Sequence, residues 1–141
     1  MPATAAESAA TTERHTPKPV TEYQRTYPGW ADQVRHVRRD VAGYLAECPI
    51  ADVAVLAASE IAANAILHSR SRGGSFTICV HLHERSVQVE CRDAGGPWRD
   101  RRLGDDRPHG LTIVEALTGP GAWGTETTGD GGRIVWASLT W

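Results

Sequence analysis

Near the middle of this chain the spacing of apolar residues changes from one period to another, and that change limits the possible fold more than any other feature. From about Trp30 to His68 the apolar residues recur every three or four positions, which is the period of amphipathic helices. From Ser75 to Asp93 they alternate with polar residues, which is the period of strands with one buried face. Helices that precede strands in one short chain predict an α+β fold, in which a layer of helices covers a sheet.

Signals for chain turns divide these regions into individual elements. Cys48-Pro49 separates a first helix, from about Trp30 to Glu47, from a second helix that ends near His68, with Asp52 as its candidate N-cap. Shorter patterns predict an edge strand before Pro28, a hairpin turn at 84–85, a short third helix over 111–117, and a final hairpin that turns within 129–132. We expect a two-layer sandwich with a mixed, mostly antiparallel sheet, covered on one face by about three helices.

The composition indicates one globular domain with an N-terminal tail. The chain has 141 residues, 40% of them hydrophobic and 23% charged, so a single domain with a sizeable core is expected. Residues 1–20 are rich in Ala, Thr and Pro and poor in large apolar side chains, which predicts a disordered tail before a domain that spans 21–141. The formal net charge of −2 does not suggest a nucleic-acid or membrane surface, so neither is predicted as a partner.

The cysteines and the first residues bear on the compartment. Three cysteines, Cys48, Cys79 and Cys91, form no CxxC pair, and an odd number favours free thiols in a reducing compartment. The first twenty residues include acidic side chains and no apolar run, unlike a secretory signal or a membrane span. A cytoplasmic location is predicted.

A row of polar residues follows one face of the second helix. Glu60, Asn64 and His68 are four residues apart, so they share a face beside the apolar stripe. The amide oxygen of Asn64 could be one hard ligand of Mg²⁺ beside nucleotide phosphates, and Glu60 could orient or deprotonate an attacking hydroxyl or water. The alternative is that both are polar residues on a half-exposed helix face, and the helix alone does not decide between the two.

Two glycine-containing corners add candidate ligand contacts. Asp93, in the sequence DAGGP, ends a strand with a buried face and could accept a hydrogen bond from an exocyclic amine such as that of adenine. Gly95 and Gly96 would let a flat ring approach the backbone, although a D-x-G-G corner taken alone is most often a turn. Gly110 precedes the third predicted helix, whose first N–H groups could face an anion such as a triphosphate.

Taken together in this order, the three motifs resemble the ATP site of a known superfamily. E-x-x-x-N on a helix, D-x-G-G after a strand and G-L at the next helix are similar to the Bergerat-type site of gyrase, the heat-shock chaperone, sensor histidine kinases and the mismatch-repair ATPases, the GHKL superfamily. The closer resemblance is to the small stand-alone histidine-kinase-like ATPases of bacteria that act as anti-sigma factor serine kinases. It covers about residues 23–139 and implies the two-layer Bergerat fold.

The resemblance implies a role for each matching residue. Glu60 would be the catalytic base, and Asn64 would bind the magnesium ion that bridges the phosphates of ATP. Asp93 would read the adenine amino group, with Gly95 leaving room for the base. The residues that would face the phosphates are Gly110, Leu111 and Thr112.

One residue departs from the family pattern. The glycine pair before the third predicted helix reads G-x-G in the family, whereas this chain has Pro108 at the first position. Proline lacks an N–H, so a possible phosphate donor is lost. Arginines of the preceding charged segment could replace it by pairing with a phosphate, or they could belong to a solvated loop; they are Arg99, Arg101, Arg102 and Arg107.

The resemblance also implies an activity and partners. It implies an ATP-dependent protein serine/threonine kinase that phosphorylates an anti-sigma-factor antagonist and, when unopposed, binds a sigma factor; a homodimer is possible. The alternative is a module that has kept the fold, lost turnover and acts by sequestering a partner protein, which Pro108 favours. Slow ATP hydrolysis for a conformational cycle is a third possibility.

Other patterns have simpler explanations. Cys79, His81 and His83 alternate onto one strand face, but no fourth ligand lies near them in sequence, so zinc or copper binding is disfavoured. Trp123 and Trp136 match the family pattern and are predicted to be core residues.

Overall fold

The computed structural model describes residues 19–96, 114, 116 and 122–141. Most of the predicted tail lies outside these residues. So do Pro108, the arginines of the charged segment, and the predicted phosphate-facing residues Gly110, Leu111 and Thr112.

Five strands and two long helices make up the described part of the chain, which confirms the α+β prediction. The elements are β1 (Thr21–Pro28), a 3-10 helix (Ala31–Gln33), α1 (Val34–Tyr44), α2 (Ala51–His68), β2 (Ser75–Leu82), β3 (Ser86–Asp93), β4 (Trp123–Thr127) and β5 (Arg133–Thr140). The strand order is β1-β2-β3-β5-β4, and β1 is an edge strand as predicted. Every described pair is antiparallel, so the expectation of a mixed sheet is corrected in this part of the chain.

The helix boundaries differ from the sequence prediction in two places. The first predicted helix divides into the 3-10 helix and α1, which ends at Tyr44 because Leu45 leaves the helical conformation, with φ −100° and ψ 26°. The N-cap of α2 is Ile50, so the prediction of Asp52 as N-cap is wrong. Asp52 lies in the first turn instead, where a carboxylate still interacts favourably with the positive end of the helix dipole.

The core lies between the helices and one face of the sheet. Alternate residues of the central strands point into it, as the period of two requires; they include Ile78, Val80, Val89, Cys91, Val135 and Ala137. Five alanines of α2 are fully buried, and their small side chains allow the helix to pack closely on the sheet. Val114 and Ala116, the described residues of the third predicted helix, are helical, and Val114 is buried in the same core.

The length and composition of α2 alone would allow it to cross a membrane. Half of that stretch is buried inside the protein, however, and a core helix passes the same test of length and hydropathy. Among the described residues, no other helix meets this test.

The two tryptophans near the C-terminus pack on different faces of the sheet. Trp123 packs against the main core, whereas Trp136 pairs with Glu90 on the face opposite the helices and is also buried. Gly124 leaves the space that Trp136 fills, because a Cβ at Gly124 would lie 2.9 Å from the indole ring. The prediction of core residues holds for Trp123, which packs against the helix-side core, whereas Trp136 is buried outside that core.

Candidate functional site

Asn64 is a buried polar residue on α2, with 3% of its surface exposed. Its amide nitrogen donates a hydrogen bond to the carbonyl oxygen of Glu60, 3.0 Å away. This bond holds the side chain and leaves the amide oxygen Oδ1 available as an acceptor or as a metal ligand. A single hard oxygen held in this way fits Mg²⁺, which is commonly bound by one or two protein oxygens together with substrate phosphates and water.

Glu60 and His68 lie one turn before and one turn after Asn64 on α2, and both are half-buried. The predicted row of polar residues is therefore present, with its central residue the most buried. The simpler explanation was that these residues lie on a half-exposed helix face. It applies to Glu60 but not to Asn64. A fully exposed surface row would not include a buried amide.

Asp93 ends β3 with its side chain 1% exposed. The N–H of Gly95 donates to its Oδ1 at 2.6 Å, which closes a tight turn at the corner. The other oxygen, Oδ2, is buried and accepts no hydrogen bond from any residue that the structure describes. A buried carboxylate oxygen without a donor is unfavourable, so this corner fits a ligand that supplies an N–H group.

The pKa of Asp93 reflects opposing influences. Burial raises it above the ordinary value for aspartate, while the Gly95 N–H and the positive charge of Arg133 act in the opposite direction. The Nε atom of Arg133 lies 3.5 Å from Asp93 Oδ1, and the Arg133 side chain is 11% exposed. A second arm of the guanidinium, Nη1, donates to the carbonyl oxygen of Gly96 at 2.9 Å.

The segment after α2 is hydrogen-bonded to the same corner. Ser69 Oγ donates to the Ala65 carbonyl and accepts the N–H of Ser71. Ser71 Oγ in turn accepts the N–H of Ala94 at 2.8 Å, and the N–H of Arg70 donates to the Gly95 carbonyl at 2.9 Å. These bonds tie the helix that carries Asn64 to the corner after β3.

Gly95 has a structural requirement of its own. It adopts φ +76°, and a Cβ there would lie 2.1 Å from the carbonyl oxygen of Gly131 in the β4–β5 turn. The close approach of this turn explains why a glycine is needed even without a ligand. The predicted role of Gly95 in leaving room for a base is a separate prediction.

Three residues of this site were missed in the sequence. Arg133 follows the glycine-rich turn of the last hairpin, and nothing in its local sequence marks it, because its position opposite Asp93 depends on the pairing of β3 with β5. Ser69 and Ser71 form an S-x-S pattern directly after a helix, and that pattern was the available signal for a hydrogen-bonded termination.

Other candidate positions lie away from this corner. His81 is near the carboxylates of Glu22 and Glu90, at 3.6 and 3.5 Å. Within the described residues no group of three or more His, Cys, Asp or Glu side chains is arranged to hold a metal ion. An apolar cavity of about 280 Å³, lined in part by Leu45, Leu82 and Trp141, lies at the opposite end of the sheet from Asp93.

Comparisons with known proteins bear on the family and on the fold. A family model described as a histidine kinase-like ATPase domain matches residues 28–138. A solved structure with a similar fold is the crystal structure of the RsbU and RsbW domains of Rv1364c from Mycobacterium tuberculosis, with a TM-score of 0.61 and 22% sequence identity. The match covers 86% of this chain and 33% of that chain, so this chain spans about a third of the length of that protein. None of the curated proteins compared with the chain matches it.

Proposed function

The chain belongs to the histidine kinase-like ATPase domain family, and on that premise we propose that it is an ATP-dependent protein serine/threonine kinase of the anti-sigma factor type. Its substrate would be a small protein that antagonises an anti-sigma factor. The observation that carries the proposal is the buried oxygen Oδ2 of Asp93. It has no donor among the described residues and lies at the corner after β3 that contains Gly95.

The Asp93 corner is suited to adenine. Oδ2 would accept a hydrogen bond from the exocyclic amino group, in a site where burial strengthens that bond. Guanine presents a carbonyl oxygen at the same ring position. Two acceptors would then oppose each other, so the corner favours ATP over GTP.

The phosphates would lie toward α2. Asn64 would supply an amide oxygen to Mg²⁺, and the ion, when bound, neutralises charge on the phosphates. Gly110, Leu111 and Thr112 remain the predicted phosphate-facing residues, and they lie outside the described residues.

Glu60 would act on the protein substrate. Its carboxylate would accept the proton of a serine or threonine hydroxyl as that oxygen bonds to the γ-phosphorus. The bond from the γ-phosphorus to the β–γ bridging oxygen then breaks, and ADP leaves. Phosphoryl transfer requires mainly positioning and charge neutralisation, which a single carboxylate beside a nucleotide site can complete.

The partners follow from the resemblance in the sequence and from the shared fold with a chain that contains an RsbW domain. We propose an anti-sigma factor antagonist or a sigma factor, or both, with a homodimer as a possible form. A cytoplasmic location is part of the same proposal, and the free thiols Cys48, Cys79 and Cys91 support a reducing compartment.

A second candidate function is sequestration of a partner without turnover. Pro108 favours it, because it removes a possible phosphate donor from the family's G-x-G pair. Incubation with γ-labelled ATP and candidate antagonist proteins separates the two functions. A kinase labels the antagonist on serine or threonine, whereas a sequestering module forms the complex and leaves it unlabelled. Phosphate release without any labelled partner would instead indicate a slow ATPase.

A further inference from the structure

The corner after β3 contains a half-buried arginine, Arg133, to which neither the family motifs nor the proposed chemistry assigns a role. We propose that Arg133 is a positioning residue that determines base specificity: it keeps Asp93 as a carboxylate, so that Oδ2 acts only as an acceptor and selects adenine over guanine. This inference rests on the proposed nucleotide binding and adds to it the residue that controls its selectivity.

The sheet places Arg133 directly opposite Asp93. The two residues are paired in the β3–β5 register, so their side chains leave the same face of the sheet. The guanidinium reaches both the Asp93 carboxylate, through Nε at 3.5 Å, and the Gly96 carbonyl, through Nη1 at 2.9 Å. One side chain therefore acts on the charge of Asp93 and on the backbone of the corner.

Among the described residues, the other ionisable groups on β3, in the β4–β5 turn and directly after α2 do not replace this charge. Cys91, two residues earlier on β3, is fully buried, and burial raises its thiol pKa well above the ordinary value, so it contributes no charge at neutral pH. Asp130 in the β4–β5 turn is negative and exposed. Arg70 packs beside Gly96 and is exposed, so solvent screens its charge more than that of Arg133.

The protonation state of Asp93 decides which base it can accept. As a carboxylate, Oδ2 accepts a hydrogen bond and suits the amino group of adenine. As a carboxylic acid, the same oxygen can carry a proton and donate to the carbonyl of guanine. Because burial already raises the Asp93 pKa, loss of the Arg133 charge would raise it further and favour the acid form.

The test uses three variants and two nucleotides. Arg133→Met removes the charge, Arg133→Lys keeps a charge but not the planar fork, and Arg92→Met makes the same change one residue from Asp93 on the opposite face of the sheet. ATP and GTP affinities would be measured by calorimetry from about pH 3.5 to about pH 8.5, a range that covers the ordinary pKa of an aspartate carboxyl group and raised values above it.

ATP affinity should fall on acidification as Asp93 takes up its proton, and we expect Arg133→Met to move this fall to higher pH by about one unit. Within that pH range the preference for ATP over GTP should fall about tenfold, since one pKa unit is a tenfold change in protonation. Arg133→Lys should keep most of the preference, and Arg92→Met should match the natural protein. A uniform loss of affinity in Arg133→Met, with an unchanged pH profile and ATP preference, would overturn the inference and leave ATP binding established. No ATP binding by the natural protein would overturn the proposed function as well.

A second measurement covers the case in which Arg133→Met does not fold. The Asp93 carboxyl carbon can be titrated by NMR in the natural protein, and the titration compared with the pH dependence of ATP affinity. We expect ATP affinity to fall over the pH range in which Asp93 takes up its proton. An ATP affinity that stays constant across that range would overturn the inference.

Discussion

The amide nitrogen of Asn64 donates a hydrogen bond to the backbone carbonyl oxygen of Glu60, 3.0 Å away and one turn back along α2. The bond satisfies the nitrogen of the Asn64 amide group. The other buried residues of this helix are mostly alanine and isoleucine. The amide oxygen Oδ1 takes no part in this bond, so its lone pairs can accept from water or bind a ligand. The proposed magnesium ligand would give this oxygen a role.

Replacement of Asn64 by alanine should remove the magnesium dependence of ATP binding. We expect the ratio of affinities with and without Mg²⁺ to fall about tenfold or more, as for other losses of metal contacts. Stability should change little, since alanine is the better helix former. Calorimetry with and without EDTA measures the ratio. Gln24→Ala, on the exposed edge strand, is the control, and an undiminished ratio in Asn64→Ala would show that the amide oxygen holds no ion.

Glu60→Gln should separate binding from transfer. The amide keeps the size of the side chain but cannot accept the hydroxyl proton, so transfer of labelled phosphate to the antagonist should slow by about 10²–10⁴. ATP affinity should stay close to that of the natural protein. Glu47→Gln, an exposed change outside the site, serves as the matched control. Transfer at the natural rate by Glu60→Gln would exclude Glu60 as the base.

The raised pKa of Asp93 should appear in the pH dependence of stability. A carboxyl group that binds its proton more tightly in the folded state stabilises the fold fully below its unfolded pKa, and this contribution is lost as the pH rises through its folded pKa. From about pH 4 upward, the natural protein should therefore lose stability relative to Asp93→Asn. Denaturation at a series of pH values gives the difference in unfolding free energy.

For that comparison, Asp32→Asn provides an exposed control. A difference between the natural protein and Asp93→Asn that does not vary with pH would contradict the raised pKa. A difference of opposite slope would mean that the attraction of Arg133 outweighs the effect of burial.

Gly95→Ala should destabilise the fold, whereas Gly129→Ala should not. A Cβ at Gly95 would lie 2.1 Å from the Gly131 carbonyl oxygen, at φ +76°, while a Cβ at Gly129 would meet nothing within 4 Å. Strain of this kind costs on the order of 1–3 kcal/mol, and a neutral surface change stays within about 0.5 kcal/mol. Denaturant unfolding measures both. Equal stability of the two variants would contradict the close approach of the β4–β5 turn.

The order of elements was predictable from the sequence because each core element repeats its pattern several times. The alternation around Ile78 and Val80 predicts a strand, and the continuous apolar stretch of α2 predicts a buried helix. Helix ends depend on single residues: the sequence favours Asp52 as N-cap, whereas the N-cap of α2 is Ile50. The register between β3 and β5, which decides what faces Asp93, has no counterpart in local spacing.

The site was predictable to the extent that its residues belong to compact motifs. Asn64 and Asp93 each fall in a short pattern, and the structure buries both. Arg133 could not be identified in the same way, because it reaches the site through a pairing between strands forty residues apart in sequence. Its effect on Asp93 is a property of the folded sheet.

Titration of ATP and magnesium into the natural protein and into Asp93→Asn by calorimetry tests the central claim most directly. The account predicts that the natural protein binds ATP with a stoichiometry of one nucleotide per chain. A cooperative melting transition would show that Asp93→Asn is folded. This variant should bind ATP far more weakly, because an amide cannot reproduce the two acceptor oxygens of the carboxylate. The absence of binding by the natural protein at millimolar ATP, or equal binding by both proteins, would contradict a nucleotide site at Asp93.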